Sequence, residues 1–224
     1  MGCILKGGGG LYSRLAVGAV VLAAGAGERI GHRPKSLLEL GGVPLIRRTL
    51  IALSGSGVDE VVVVLGHYAD EIEPMVESFP VTVVLNPRPE DGQVSSQRIG
   101  LAALMGKLDA VMVVLADQPL INAQDIVALI GAWKKRHEGA GVVYPEVDGE
   151  RGNPVIFSTE VKDEILAGSV NVGCRQWQAK HPERVEAFVT DNRRYRVDID
   201  TPEDLERFER ETGHALCWPA RQAV

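Results

Sequence analysis

Short, largely apolar runs separated by helical segments constrain the fold of this chain more than any other feature. The runs cover residues 16–22, 60–65, 81–85, 110–115, 141–144, 154–157, 185–189 and 195–199. Helical patterns stand between them, and Thr201-Pro202-Glu203-Asp204 opens a last helix. Strands buried on both faces read as continuous apolar runs, and strand–helix alternation favours an α/β fold. We therefore predict a three-layer α/β/α, Rossmann-like sandwich with a mostly parallel, mixed sheet.

The extent of this pattern predicts a single domain. The 224 residues suffice for one well-cored domain, which we place at residues 15–212. Residues 1–14 contain a run of glycines at 7–10 and are expected to form a flexible lead-in, followed at the other end by a C-terminal tail over residues 213–224.

Charge and cysteine content exclude several classes of protein. The formal net charge of −6 argues against a general nucleic-acid or anionic-membrane binder. No apolar run reaches the roughly 18–20 residues that span a membrane. Cys3, Cys174 and Cys217 are too scattered for a zinc or disulfide pattern. We expect reduced thiols in a cytoplasmic protein.

The loop after the first apolar run carries the clearest binding signal. Its glycines let backbone amides approach an anion, and Arg29 and Lys35 add two cations. Gly25, Gly27 and Gly31 miss the spacing of the dinucleotide fingerprint by one residue, and no glycine directly precedes the lysine as a P-loop requires. The loop is predicted to grip polyphosphate, with a flexible surface turn as the alternative.

Two further loops are expected beside it, because ligands bind at the carboxyl ends of parallel strands. Residues 86–96 and 117–120 follow the third and fourth apolar runs. Asp117 is placed to hold Mg²⁺ against nucleotide phosphates, or else forms a turn before Pro119. Residues 92–96 start a helix whose free amides suit an anion or a base edge, unless the start is an ordinary capped one.

A second pair of carboxylates lies near the end of the domain. Asp198 and Asp200 are two apart on an extended segment, so their side chains share one face, roughly 6–7 Å apart. One of them can complete a metal site with Asp117. The alternative is that Asp200-Thr201 caps the last helix.

Taken together, these motifs resemble one family in their order and spacing. They are Leu22-Ala23-Ala24-Gly25-Ala26-Gly27-Glu28-Arg29-Ile30-Gly31, Pro34-Lys35, Asn86-Pro87, Gly92-Gln93-Val94-Ser95-Ser96, Asp117-Gln118-Pro119-Leu120, Gly152-Asn153-Pro154-Val155 and Asp198-Ile199-Asp200-Thr201-Pro202-Glu203-Asp204-Leu205. Over residues 16–212 the chain is similar to the nucleotidyltransferases of molybdenum-cofactor maturation, most of all to their cytidylyltransferases. That group lies within the wider NTP-transferase family.

The resemblance implies a fold, a reaction and a set of roles. It implies the nucleotide-diphospho-sugar transferase type of fold and the Mg²⁺-dependent transfer of CMP from CTP to the phosphate of molybdopterin, with release of pyrophosphate. Arg29 and Lys35 would be catalytic groups on the triphosphate. Asp117, with Asp198 or Asp200, would hold the metal ion.

The resemblance also implies what the nucleotide and its partners are. Expected nucleotide contacts are Leu22, Ala23, Ala24, Gly25, Ala26, Gly27, Asn86, Gly92, Ser95 and Ser96. Ala24 favours CTP, because the guanylyltransferases of the family typically carry glycine there. Expected partners are CTP or another NTP, molybdopterin or the molybdenum cofactor, and a molybdoenzyme apoprotein.

Two departures from the family pattern keep alternatives open. Residues 171–175 read Asn-Val-Gly-Cys-Arg where cytidylyltransferase-like members have Asp-x-Gly-Ala-Arg, and 92–96 read Gly-Gln-Val-Ser-Ser for Gly-Met-Ser-Ser-Ser. The alternatives are guanylyl transfer to molybdopterin, nucleotidyl transfer to a sugar or polyol phosphate, and a non-catalytic nucleotide-binding partner of a molybdoenzyme. The off-register glycines disfavour a dehydrogenase.

Overall fold

A computed structural model describes residues 14–219 of the chain. Residues 1–13 of the lead-in predicted for 1–14, and the end of the predicted tail, 220–224, lie outside the described residues. The strands are β1 (Val17–Ala23), β2 (Glu39–Leu40), β3 (Val43–Pro44), β4 (Glu60–Leu65), β5 (Thr82–Leu85), β6 (Ala110–Leu115), β7 (Val142–Val147), β8 (Glu150–Arg151), β9 (Val155–Ser158), β10 (Val185–Val189) and β11 (Leu216–Cys217). The α-helices are α1 (Leu45–Ser56), α2 (Ala69–Val76), α3 (Gln93–Ala103), α4 (Ala123–Lys135), α5 (Thr159–Ala167), α6 (Cys174–Lys180) and α7 (Pro202–Thr212).

The main sheet is mixed and mostly parallel, as predicted. Its strand order is β10-β7-β9-β6-β1-β4-β5, and β8 adds to the end of β7. Strand β9 runs antiparallel to both of its neighbours, while β1 is parallel to β4 and to β6. Strand β1 therefore lies in the middle of the sheet, and the carboxyl ends of β1, β4 and β6 open at one edge.

Two apolar layers cover the faces of the sheet. On one face, α1, α2 and α4 pack against the strands through side chains such as Ile46, Ile72 and Trp133. On the other, α3, α5 and α6 pack through Leu101, Ile165 and Trp177. Because both faces are buried, β1 is apolar throughout, which is why its run was readable in the sequence. The predicted three-layer α/β/α fold is confirmed.

One predicted strand is wrong. Residues 195–199 alternate apolar and polar side chains, yet Arg193–Arg196 form a 3₁₀ helix and residues 197–199 belong to no strand. Tyr195 and Ile199 are buried, but the backbone here bonds to loops: the Tyr195 carbonyl accepts from the Asn153 amide and from Gln118 Nε2. The alternating pattern in this segment therefore reflects the burial of Tyr195 and Ile199 and not the pairing of a strand.

A small second sheet was not predicted. Strand β2 pairs antiparallel with β3 and with β11, so Leu216–Cys217, within the predicted tail, pack on the domain. Two-residue strands are too short to show a period in the sequence. Behind this sheet a third apolar cluster joins Ile30, Leu38, Ile199 and Phe208, so the glycine loop and the Asp198–Asp200 segment share one support.

Two further expectations concern membrane-spanning helices and the cysteines. Within residues 14–219, no helix has the length and apolarity needed to cross a membrane. Cys174 is a buried free thiol and Cys217 an exposed one, while Cys3 lies outside the described residues.

Candidate functional site

A cleft of about 1080 Å³ opens at the carboxyl ends of β1, β4 and β6. It is lined by the glycine loop from Leu22 to Arg29 with Lys35, by residues 89–97, and by α6 and residues 151–153. Asp117, Asp198 and Asp200 line its floor, where the strands end. The structure thus brings together the three loops that the sequence placed at this edge.

In the glycine loop the backbone carbonyls accept hydrogen bonds, whereas the backbone amides are free. The Ala24 carbonyl accepts from His67 Nδ1 at 3.0 Å, the Ala26 carbonyl from the Tyr68 hydroxyl at 2.9 Å, and the Gly27 carbonyl from the Ile30 amide at 3.0 Å. Within the described residues, the amides of 24–27 donate to no other group. Successive free amides with their carbonyls turned away form a concave anion site.

Gly27 is the residue that allows this turn. Its φ is +60°, and a Cβ there would lie 2.0 Å from the carbonyl oxygen of Arg33. An L side chain is disfavoured on both counts, because the left-handed region penalises a Cβ and the space is already filled by backbone. The off-register glycine spacing therefore serves a tight return of the chain from residue 27 to residue 33.

Lys35 joins two carboxylates on the floor of the cleft. Its Nζ lies 2.5 Å from Asp117 Oδ2 and 2.6 Å from Asp200 Oδ1. Only 19% of the Lys35 side chain is exposed. Burial alone would lower the pKa of this ammonium, but the charges and hydrogen bonds of the two carboxylates outweigh burial and raise the pKa above its usual value. Lys35 is therefore a fixed cation at neutral pH.

Arg29 reaches the same centre from the other side of the loop. Its Nη2 donates to Asp200 Oδ2 at 2.6 Å, although 68% of its side chain is exposed. Burial would raise the pKa of Asp200, but Lys35 and Arg29 outweigh it and hold the pKa below its usual range. The helix cap that was the alternative role for Asp200 comes from Thr201, whose side chain accepts from the Asp204 amide.

The carboxylates fit a divalent cation that is shared with phosphates. Asp117 Oδ1 is buried without a hydrogen-bond partner, which is costly unless a ligand satisfies it. Burial, followed by the charges of Asp117 and Asp200, raises the pKa of Asp198. Across residues 14–219 no three acidic, His or Cys side chains are arranged to enclose a metal ion. Mg²⁺ commonly takes one or two carboxylates and fills its other positions with water and phosphate oxygens, so this donor set suits it.

The helix start at Gly92 is shaped from behind. No side chain caps α3, so the alternative of an ordinary capped start is wrong. Asn86, which is buried, donates to the hydroxyl oxygens of Ser95 at 2.7 Å and Ser96 at 3.0 Å. Gly92 and Ser96 line the cleft. Asn86 and Ser95 do not line it, and they support the helix start from behind. Their predicted contact with the nucleotide stays a prediction.

Several cleft residues were missed from the sequence. In the cleft, the Arg151 guanidinium stacks on the Tyr144 ring, 4.0 Å from its centroid, and donates to Gln178 Oε1. Arg175 also lines the cleft. His67 lies two residues after the end of β4, so the strand-end rule that located the other loops could have found it. Arg151 had a weaker signal, its place beside the Gly-Asn-Pro motif.

The fold and this cleft define the family. The chain belongs to the family of MobA-like NTP transferase domains, which matches residues 19–185. The predicted wider NTP-transferase family is thereby confirmed. The finer assignment to molybdenum-cofactor cytidylyltransferases stays a prediction.

Known relatives span more than one named activity. The chain is 28% identical over 196 residues to nicotine blue oxidoreductase of Paenarthrobacter nicotinovorans, covering 85% of this chain and 95% of that one. It is 39% identical over 145 residues to the bifunctional enzyme IspD/IspF of Clavibacter michiganensis, covering 60% of this chain but 34% of that enzyme. A nucleotidyl transferase from Methanothermobacter superposes with a TM-score of 0.70 at 26% identity, covering 88% of this chain and 97% of that structure.

Proposed function

We propose that the protein is a cytidylyltransferase that transfers CMP from CTP to the phosphate of molybdopterin or the molybdenum cofactor. The observation that carries the proposal is the set of free amides at residues 24–27, which line the same cleft as Lys35 and Arg29. Free amides and two cations suit a triphosphate, which an isolated surface turn has no reason to provide. Family membership supports nucleotidyl transfer, and Ala24 favours CTP.

In this proposal the residues of the chain position the triphosphate and neutralise its charge. The amides of 24–27 hold the β- and γ-phosphates, while Lys35 and Arg29 face the charge that develops on pyrophosphate. An oxygen of the acceptor phosphate bonds to the α-phosphorus of CTP in line, and the bond to the bridging oxygen breaks, so that pyrophosphate leaves with the electron pair. No side-chain nucleophile is needed.

The metal ion has a defined place in the proposal. Asp117, with Asp198 or Asp200, would hold Mg²⁺, which supplies charge neutralisation to the phosphates. In the free protein the Lys35 ammonium pairs with Asp117 and Asp200, and with a triphosphate bound it would donate to phosphate oxygens as well.

The part of the cleft around Arg151 and Arg175 suits an acceptor that is anionic and planar. Both arginines line the cleft, and the Arg151 guanidinium is held flat against Tyr144. A guanidinium binds phosphate through its edge and a conjugated ring through its face. Molybdopterin carries both groups, whereas a sugar or polyol phosphate offers only the phosphate.

Thermal shift separates the nucleotides. CTP, GTP, ATP and UTP are compared with Mg²⁺, and a ligand at 100 times its dissociation constant stabilises by about 2.7 kcal/mol, or roughly 5–10 °C for a chain of this size. CTP should give the largest shift. A larger shift with GTP would overturn the choice of base.

Turnover separates the acceptors. Pyrophosphate release is measured from the preferred NTP with molybdopterin, a sugar phosphate and a polyol phosphate in parallel. The proposal expects release with molybdopterin alone. Release with a sugar phosphate would move the acceptor, and binding of CTP with no release on any acceptor would favour a non-catalytic nucleotide-binding partner.

A redox reaction is a second candidate, because one relative that matches most of this chain is named an oxidoreductase. The glycine spacing argues against a dinucleotide site, and the ion cluster around Lys35 has no evident redox task. NADH fluorescence titration distinguishes the two. Saturable NADH binding that CTP does not displace would support the redox candidate.

A further inference from the structure

Two side chains of helix α3 hold the neighbouring loop that leads from α5 into α6. Arg98 donates to four backbone carbonyls at the end of α5 and in the following loop, those of Ile165, Leu166 at 2.8 Å, Gly168 at 3.3 Å and Val172 at 3.3 Å. Its neighbour Gln97 is buried and accepts from the Cys174 amide at 3.0 Å. Residues 168–174, here called the acceptor loop, are thus held to α3 by hydrogen bonds.

Both ends of this linkage line the cleft and lie side by side. A Cβ on Gly173 would lie 3.1 Å from Val94 Cγ2, so the acceptor loop rests against the first turn of α3. Gly92 and Ser96, just before and within that turn, line the cleft, as do Cys174 and Arg175, where the acceptor loop enters α6. Arg98 itself contacts neither substrate position, because its guanidinium is occupied by carbonyls.

Helix α3 is fixed to the sheet and so can act as a rigid arm. A Cβ at Gly100 would lie 2.3 Å from Val20 and 2.8 Å from Val64, so the helix backbone rests directly on β1 and β4. Such close packing leaves the helix little freedom to move against the sheet. The carbonyls that Arg98 binds include two from the last turn of α5, which have no partner within their own helix.

We propose that Gln97 and Arg98 are positioning residues that set the acceptor loop relative to the bound nucleotide. Ordering of the first turn of α3 by nucleotide is passed through these two side chains to residues 168–174, so that nucleotide binding arranges the wall for the second substrate. The inference rests on the proposed nucleotide site. It needs no particular base or acceptor.

Hydrogen–deuterium exchange with and without Mg²⁺ and each NTP tests the linkage. Peptides over 24–35 report nucleotide binding, and peptides over 168–176 report the acceptor loop. In the wild type a bound nucleotide should slow exchange in both, on the order of tenfold. Arg98→Ala should keep the first effect and lose the second. Arg98→Lys should restore part of it, since an ammonium can reach only some of the carbonyls.

Two further variants separate positioning from loss of stability. Arg136→Ala is the matched control, because Arg136 likewise binds carbonyls, those of Trp133 and Ala140, but away from the cleft. It should keep both effects. Gln97→Met removes the acceptor for the Cys174 amide with little change of volume and should weaken the second effect alone.

The outcomes are distinct. Nucleotide protection over 24–35 without protection over 168–176 in the wild type, or equal protection of both in Arg98→Ala, overturns the linkage and leaves the proposed function standing. No protection over 24–35 with any NTP overturns the proposed function, and the linkage that rests on it falls as well.

Discussion

Replacing Lys35 by alanine probes the centre of the site, and the structure sets the size of two separate effects. In the free protein the change leaves Asp117 and Asp200 without the ammonium that lies 2.5 and 2.6 Å from them. Breaking a fully buried pair costs about 3–5 kcal/mol and breaking an exposed pair at most about 1 kcal/mol. The Asp117 and Asp200 side chains are 18% and 32% exposed, so we expect about 1–3 kcal/mol of destabilisation, a fall in Tm of roughly 2–10 °C.

The effect on turnover is expected to be larger than the effect on stability. Removing one fixed donor that faces developing charge lowers kcat about 10²–10³-fold, or roughly 3–4 kcal/mol of barrier. Pyrophosphate release at saturating CTP and acceptor measures it directly. Lys134→Ala is the matched control, since Lys134 is an exposed lysine on α4, and it should change neither quantity.

A double variant separates the two effects. Adding Asp117→Asn to Lys35→Ala removes the carboxylate that Lys35 alone neutralises, whereas Asp200 keeps its ion pair with Arg29, so much of the Tm should return. The rate should not recover. Turnover of Lys35→Ala within about tenfold of wild type would refute the role assigned to this cation.

Two further predictions concern the loop and the third carboxylate. Gly27→Ala should abolish the thermal shift with nucleotide, because its Cβ would collide with the Arg33 carbonyl. The control Gly131→Ala, at an open helical position, should be neutral or stabilising. Normal nucleotide binding by Gly27→Ala would contradict this geometry. For Asp198, the raised folded pKa means that ionisation destabilises the fold, so wild type loses stability as pH rises through that pKa. The Tm of Asp198→Asn minus that of wild type should therefore grow as pH rises from about 3.8 towards neutrality, and a flat difference would refute it.

The layered fold was readable from the sequence because burial on both faces leaves a plain signal. Strand β1 packs against two apolar layers, one on each face of the sheet, and is therefore apolar along its whole length. The 195–199 segment shows the limit of such reasoning. Tyr195 is buried because its hydroxyl donates to the Asp125 carbonyl and its ring packs near Phe188, and neither contact requires a strand.

Candidate site residues could be predicted from the sequence only where charged side chains lie in the loops that follow strands. Arg29, Lys35, Asp117 and Asp200 were predicted from residue type and position, and the structure brings them into one ion cluster. Arg98 was not predicted, because its function depends on four carbonyls that lie about seventy residues further along the chain. Contacts to backbone leave no residue type at the far end for a motif to show.

The glycine loop owes its binding capacity to residues outside it, which explains why known glycine motifs did not describe it. In a P-loop or a dinucleotide fingerprint the amides are presented by the glycines and by the helix that follows. Here a 3₁₀ turn follows instead, and His67 and Tyr68, from the end of β4, hold the carbonyls of Ala24 and Ala26. The free amides are the opposite faces of those same peptide units. The spacing of glycines in this loop is therefore set by the return of the chain at Gly27, and its affinity for an anion depends on the neighbouring strand.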